Sequence, residues 1–235
     1  MSTPYVLHYA PDNASLVIRL AMEEMGVDYL TTLVDRSVNA QRSAAYLALN
    51  PNGLIPVLET PHGPMFETGA ILLWLADTHG AMAPGQQDPD RVGFLKWLFF
   101  LSNTLHADLR INFYTHLYAG EDATHQNAVV EMIQSRLTTH LRRLDDLAAA
   151  GTPYLAATQP GVMDYYLACM MRWMALYPAN RDKGWYSLGV TPHLSSMLHR
   201  LEERPAVLAA AKAEGLGPTP FTQPRHPQPP EGSAI

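Results

Sequence analysis

Cysteine, charge and long apolar runs are all scarce in this 235-residue chain: Cys169 stands alone, and Asp, Glu, Lys and Arg together make up 16%. One thiol cannot close an internal disulfide or build a thiolate metal cluster, so dithiol redox chemistry within one chain is excluded. No run reaches the roughly 18 apolar residues of a membrane span. The start, MSTPYVLHYAP, has no basic stretch followed by an apolar one, so a cytoplasmic protein without a membrane partner is expected. The 16 Lys and Arg form no run within a net charge of −6, which argues against a nucleic-acid partner. The 10 histidines include no HExxH and no close His/carboxylate cluster, so no metal is expected. GxSxG, a GxGxxG after a strand and the P-loop are likewise missing. What is present is 47% hydrophobic, enough for one large or two modest cores.

Up to residue 80 the hydrophobic period switches repeatedly. Strands are expected at YVLHY (5–9), YLTTLV (29–34), PVLE (56–59) and 65–67. Helices are expected from Asn13 or Ser15 to a stop at Gly26, over 42–49, and over 68–78, giving the order βαβαββα. The segment AMAPGQQDPD (81–90) reads as a linker. Beyond it the period is helical throughout, at 91–118, 122–150, 162–177, 192–203 and 205–214, so residues 91–216 read as an all-α bundle. The fold class is therefore α/β plus all-α. Residues 217–235 hold 6 of the 19 prolines and read as an extended tail. Met163, Met170, Met171 and Met174 beside Trp173 read as adaptable core, and Cys169 in the same helix as a buried, inert thiol.

The most specific stretch is NPNGLIPVLE (50–59), followed by FETGAILLWLAD (66–77). A proline opening a strand suits either a cis Ile55-Pro56 bond, which would expose the Ile55 main chain to an added peptide strand, or an ordinary edge-strand turn. Glu67 and Thr68 stand where a strand meets a helix. There they could hold the ammonium and carboxylate of an amino-acid terminus, or serve only as first-turn charge and cap.

Together with the helical domain, these segments resemble a cytosolic glutathione S-transferase: a thioredoxin-like domain over 1–80 followed by an α-helical one. The resemblance covers residues 4 to 216. Tyr9 and Ser15 near the first turn, WLFFLSNTLH ending in His106, DYYLACMMRW and RPAVLAAAKAEGL are further similar to the bacterial beta class. The resemblance implies a homodimer and glutathione as co-substrate. Ile55 and Pro56 with Leu54, Glu67 and Thr68, and Asn13 and Asn103 would then contact glutathione. Its thiol, with a reference pKa of about 8.5, would lie near residues 9–15 and be ionised by a helix N-terminus and one hydroxyl. Ser15 is the first candidate for that hydroxyl, Tyr9 the second, and Asn13 a polar neighbour or cap. His106 would be a second donor or an acid assisting a leaving group.

Several positions depart from that pattern. Ala14 replaces the beta-class cysteine, so a mixed disulfide with glutathione does not carry over. Leu54 replaces a Lys or Gln, and Phe99 replaces an Asn lent across the dimer. Arg36 or Arg42 could pair with the glycyl carboxylate instead. Gly161 stands at a cap where Ser or Thr is usual, with Asp164 still able to accept backbone N–H groups. The expected function is thioether formation between glutathione and a hydrophobic electrophile held by His106, Arg110, Phe113 and Tyr114, which share a helical face. The alternatives are a non-catalytic ligand-binding or carrier protein, or a glutathione-dependent ether- or halide-cleaving enzyme.

Overall fold

A computed structural model describes residues 5–234. The early changes of period become a four-stranded mixed sheet in the order β2-β1-β3-β4, formed by β1 (Tyr5–Tyr9), β2 (Tyr29–Leu33), β3 (Val57–Thr60) and β4 (Gly63–Phe66). β1 runs parallel to β2, with Leu7 opposite Thr31, and antiparallel to β3, with Leu7 opposite Leu58. Helix α1 (Ser15–Met25) crosses from β1 to β2 and buries Leu16, Val17, Ile18, Leu20 and Met22. It stops at Gly26, whose φ of 65° is the left-handed conformation glycine adopts freely, while the Val27 N–H closes on the Met22 carbonyl at 3.0 Å. α2 (Ala44–Leu49) follows two short 3₁₀ turns, so the helix expected from residue 42 starts two residues later, where Ser43 accepts the Tyr46 N–H. α3 (Thr68–His79) completes a thioredoxin-like unit.

The rest is helical: α4 (Arg91–Phe100), α5 (His106–Phe113), α6 (His116–Ala119), α7 (Ala123–Ala149), α8 (Val162–Leu176), α9 (Pro192–Glu202) and α10 (Pro205–Glu214). The unbroken helix expected over 91–118 is corrected. A π-helical turn occupies Leu101–Leu105 between α4 and α5, and the chain leaves helical geometry again at Tyr114. α8 is the central helix, buried at every position except Ala175. Asp164 organises its start, accepting the N–H groups of Gly161 and Ala156 at 2.6 Å each. The glycine at 161 has a packing reason, since a Cβ there would lie 3.0 Å from the Met82 carbonyl oxygen. The methionines of α8 and Cys169 are fully buried, and burial pushes the Cys169 thiol up. The apolar core runs without a break from Leu7 and Leu58 through α1 into α8 and α10. That continuity fixes the sheet against the helices and so fixes the geometry of the cleft between them.

The proline-rich tail is irregular but lies on the body. Phe221 is 1% exposed. Glu202 accepts the N–H groups of Phe221 and Thr222 at 2.7 and 2.8 Å, and the Gln228 N–H reaches the Gly215 carbonyl at 2.9 Å.

Candidate functional site

The loop between β1 and α1 reads Ala10-Pro11-Asp12-Asn13-Ala14. Asp12 adopts φ 53°, uncommon for a residue other than glycine, and the structure holds it there from all sides. Its buried carboxylate accepts Arg172 Nε at 2.8 Å and Nη2 at 3.0 Å, Trp173 Nε1 at 2.9 Å and the Tyr177 hydroxyl at 2.7 Å. Its N–H is taken by Glu214 at 2.7 Å, and Glu214 also accepts Arg19 Nε at 2.7 Å. An ion pair removed from water is tolerable only when its lone pairs and protons find such partners. Burial raises the Glu214 carboxyl to about 7.

The turn so fixed presents Asn13 and Ala14 to a cavity of about 860 Å³ between the thioredoxin-like unit and the helices. Asn13 Nδ2 donates to the Pro11 carbonyl at 2.8 Å and to the Ala234 carbonyl at 3.1 Å, and Oδ1 accepts Arg36 Nη1 at 3.1 Å. Arg36 Nη1 also donates to the Ala234 carbonyl, at 2.6 Å. Two donors thus converge on one oxygen at the head of α1.

Two other expectations for this turn are corrected. Ser15 is fully buried and does not line the cavity, because its hydroxyl donates to the Ala10 carbonyl at 3.1 Å and accepts the Ala10 N–H at 3.3 Å. It folds the turn back on itself. Tyr9 is also buried, and its hydroxyl donates to Glu231 at 2.5 Å; burial first, then that carboxylate, push the phenol well above its ordinary range. Neither residue presents a hydroxyl to the cavity.

Leu54, Ile55 and Pro56 line the cavity where β3 begins, and the Ile55-Pro56 bond is cis. The paired register of β3 with β1 begins at Val57, so the main chain of Ile55 lies outside it. The Leu54 carbonyl is turned away to accept the Tyr46 hydroxyl and Asn50 Nδ2, each at 2.8 Å. Glu67 and Thr68 line the same space at the head of α3, Glu67 with φ 72°. That positive φ marks a backbone held by its surroundings at a helix start, where unpaired N–H groups favour an anion.

From the helices, Ser102, His106, Arg110, Phe113, Tyr114 and Leu117 face the cavity at intervals of three or four residues. Asn103, expected to contact the ligand, is not part of the lining: it is exposed and its Oδ1 accepts the Ser102 hydroxyl at 3.0 Å, while Ser102 lines the cavity. His106 Nδ1 lies 2.8 Å from the hydroxyl of Tyr166, which is 1% exposed, and its ring packs against Trp173 at 5.8 Å. Burial first, then the Arg110 charge, lower the His106 pKa to about 4. That favours the neutral imidazole near pH 7. Arg36 Nη2 is 3.5 Å from the Tyr114 hydroxyl, and Arg110 stacks over the Tyr114 ring at 5.2 Å. Arg42 lies at the Gly53 end, donating to the Asn52 carbonyl at 3.3 Å.

The family model for the glutathione S-transferase N-terminal domain matches residues 14–78. Glutathione S-transferase GstA of Escherichia coli is 26% identical over 215 residues, spanning 89% of this chain and 98% of the relative. Along most of its length the chain is thus similar to glutathione S-transferases. Another relative, the disulfide-bond oxidoreductase YfcG of Escherichia coli, is 27% identical over 90% of this chain and 96% of its own. A sphingomonad glutathione S-transferase solved with glutathione is 29% identical with a TM-score of 0.70, covering 90% of this chain and all (100%) of that one.

Asp12, Arg172, Tyr166 and Trp173 were not singled out by sequence reasoning as site residues. One signal was available for Arg172: a cation inside an otherwise apolar helix has to find a buried partner.

Proposed function

We propose that this protein binds glutathione in the cavity and transfers its thiolate to an electrophile, forming a thioether. One observation carries the reading: the open end of β3 at Ile55-Pro56, the head of α3 at Glu67 and Thr68, and the Asn13 turn at the head of α1 all line a single cavity. The Ile55 main chain pairs with the cysteinyl unit, Glu67 takes the γ-glutamyl ammonium, and Thr68 with the α3 N-terminus takes its carboxylate. Arg42 takes the glycyl carboxylate. Asn13 Nδ2 donates to the sulfur, a role reassigned from Ser15. The thiol proton leaves to solvent, the S–C bond forms, and the leaving group departs with its electron pair. His106 adds a neutral donor on the helical wall.

In this reading residues 1–80 form the glutathione domain, 81–90 connect it, and 91–216 carry the electrophile site in a cytoplasmic enzyme. Val92, Phe99 and Met132, exposed by 78, 51 and 53%, supply apolar surface on α4 and α7 for a homodimer. Among the described residues no helix is long and apolar enough to cross a membrane.

The test is retention on immobilised glutathione followed by assays of thioether formation, ether and halide cleavage, and disulfide reduction. Thioether formation is expected. Retention without turnover on any panel returns the protein to a ligand carrier, and disulfide reduction alone replaces the transferase reading.

A further inference from the structure

Charge on the helical side of the cavity bears on what the second substrate is. Arg36 and Arg110 approach the same side chain, one at the Tyr114 hydroxyl and the other over its ring. Among the described residues, no carboxylate forms an ion pair with either. The cavity's own carboxylates are Asp12 and Glu67. Asp12 is neutralised by Arg172, and Glu67 stands at the α3 end. Two guanidiniums therefore face this half of the cavity, and among the described residues no carboxylate is paired with them.

A second observation is independent of the charge count. Arg36 Nη1 donates to the Ala234 carbonyl oxygen at 2.6 Å, so the structure already places an oxygen acceptor on this guanidinium. Around these groups the lining is aromatic, with Phe113, Tyr114, Trp173 and Tyr177. Flat side chains beside guanidinium groups match a flat, conjugated ligand bearing an anionic oxygen group, since guanidinium pairs with carboxylate through two parallel hydrogen bonds and stacks on rings.

We propose that the electrophile site selects an aromatic or conjugated acceptor carrying a carboxylate or sulfonate, with Arg110 and Arg36 as the specificity-determining residues. This rests on the transferase reading for the identity of the site and departs from it in the ligand, which is anionic and not simply hydrophobic. Arg42, at the Gly53 end, remains for the glycyl carboxylate.

Binding and turnover are measured separately. Tryptophan fluorescence, with Trp173 in the cavity wall, is titrated with dinitrobenzoate and with dinitrobenzene in the presence of a saturating non-reactive S-alkyl glutathione. The benzoate binds roughly tenfold tighter, the order set by a charge-assisted hydrogen bond. Arg110→Met and Arg36→Met each reduce that ratio severalfold, and Arg110→Lys restores part of it. Equal affinity of the two ligands in the wild-type protein overturns the proposal, as does a ratio unchanged in both methionine variants. Turnover is then compared for chlorodinitrobenzoate and chlorodinitrobenzene, each relative to its rate with free glutathione. Preferential binding with no thioether formed keeps the anionic site and rejects the transferase reading. Thioether formation with no preference in binding does the reverse.

Discussion

Replacing Asn13 by alanine separates the two hydroxyl and amide candidates at the head of α1. The Asn13 amide is oriented by its 2.8 Å bond to the Pro11 carbonyl, while its second hydrogen points at the Ala234 carbonyl 3.1 Å away. Glutathione sulfur arriving there exchanges a neutral acceptor for a charged one. A hydrogen bond to a charged group is worth about 1.5–3 kcal/mol. At about 1.4 kcal/mol per pKa unit, its loss raises the bound thiol by roughly one to two units. The assay is the pH dependence of kcat/KM, alongside ultraviolet titration of the thiolate in the binary complex. Asn13→Ala moves both midpoints upward together, so turnover below the midpoint falls by roughly 10- to 100-fold and recovers in alkali. Ser15→Ala, which removes a hydroxyl spent on Ala10, lowers stability and leaves the midpoint in place. A midpoint that stays put in Asn13→Ala and rises in Ser15→Ala refutes the assignment.

Arg172→Met strands the Asp12 carboxylate without its main partner and lowers unfolding free energy by about 3–5 kcal/mol in urea denaturation. Adding Asp12→Asn to it recovers part of the loss. For His106, whose pKa falls to about 4 against about 6.5 when unfolded, the folded state stays neutral while the unfolded state takes up a proton. Stability contributed above pH 6.5 is therefore lost as pH falls toward 4, by up to about 3 kcal/mol, and a denaturation series on His106→Gln lacks that part of the slope. On the homodimer reading, Phe99→Glu, which places charge on the apolar α4 face, shifts sedimentation toward monomer at micromolar protein; a dimer unchanged by it moves the interface elsewhere, and a monomeric wild-type protein rejects the reading.

How much could be read beforehand differs by element. Period and punctuation place β1, α1, α3 and α8 to within a residue or two, because Gly26, Pro56 and Thr68 impose local geometry that distant contacts do not override. The placement of Ile55, Glu67 and Thr68 on the cavity was legible for the same reason: they stand at strand and helix ends. Ser15 was misjudged because a hydroxyl near a helix start can turn inward or outward. Here it turns inward onto the Ala10 main chain, in a turn whose Asp12 is held by Arg172 of α8 and Glu214 of α10, far along the chain. Asn103 is off the lining for a different reason. The π-helical turn over Leu101–Leu105 adds one residue to the helix, and helical spacing alone cannot register that. The approach of Arg36 and Arg110 to one side chain was equally hidden, since they lie far apart in sequence and both reach Tyr114.

Arg172 grips the Asp12 turn with one edge of its guanidinium while donating to the Pro220 and Arg225 carbonyls of the tail, at 2.9 and 2.8 Å. Segments from the two extremities of the polypeptide are thereby tied to a single side chain. Because the tail offers main-chain carbonyls, side-chain changes at 220 and 225 leave its acceptors in place, whereas loss of the Arg172 guanidinium releases the turn and the tail together.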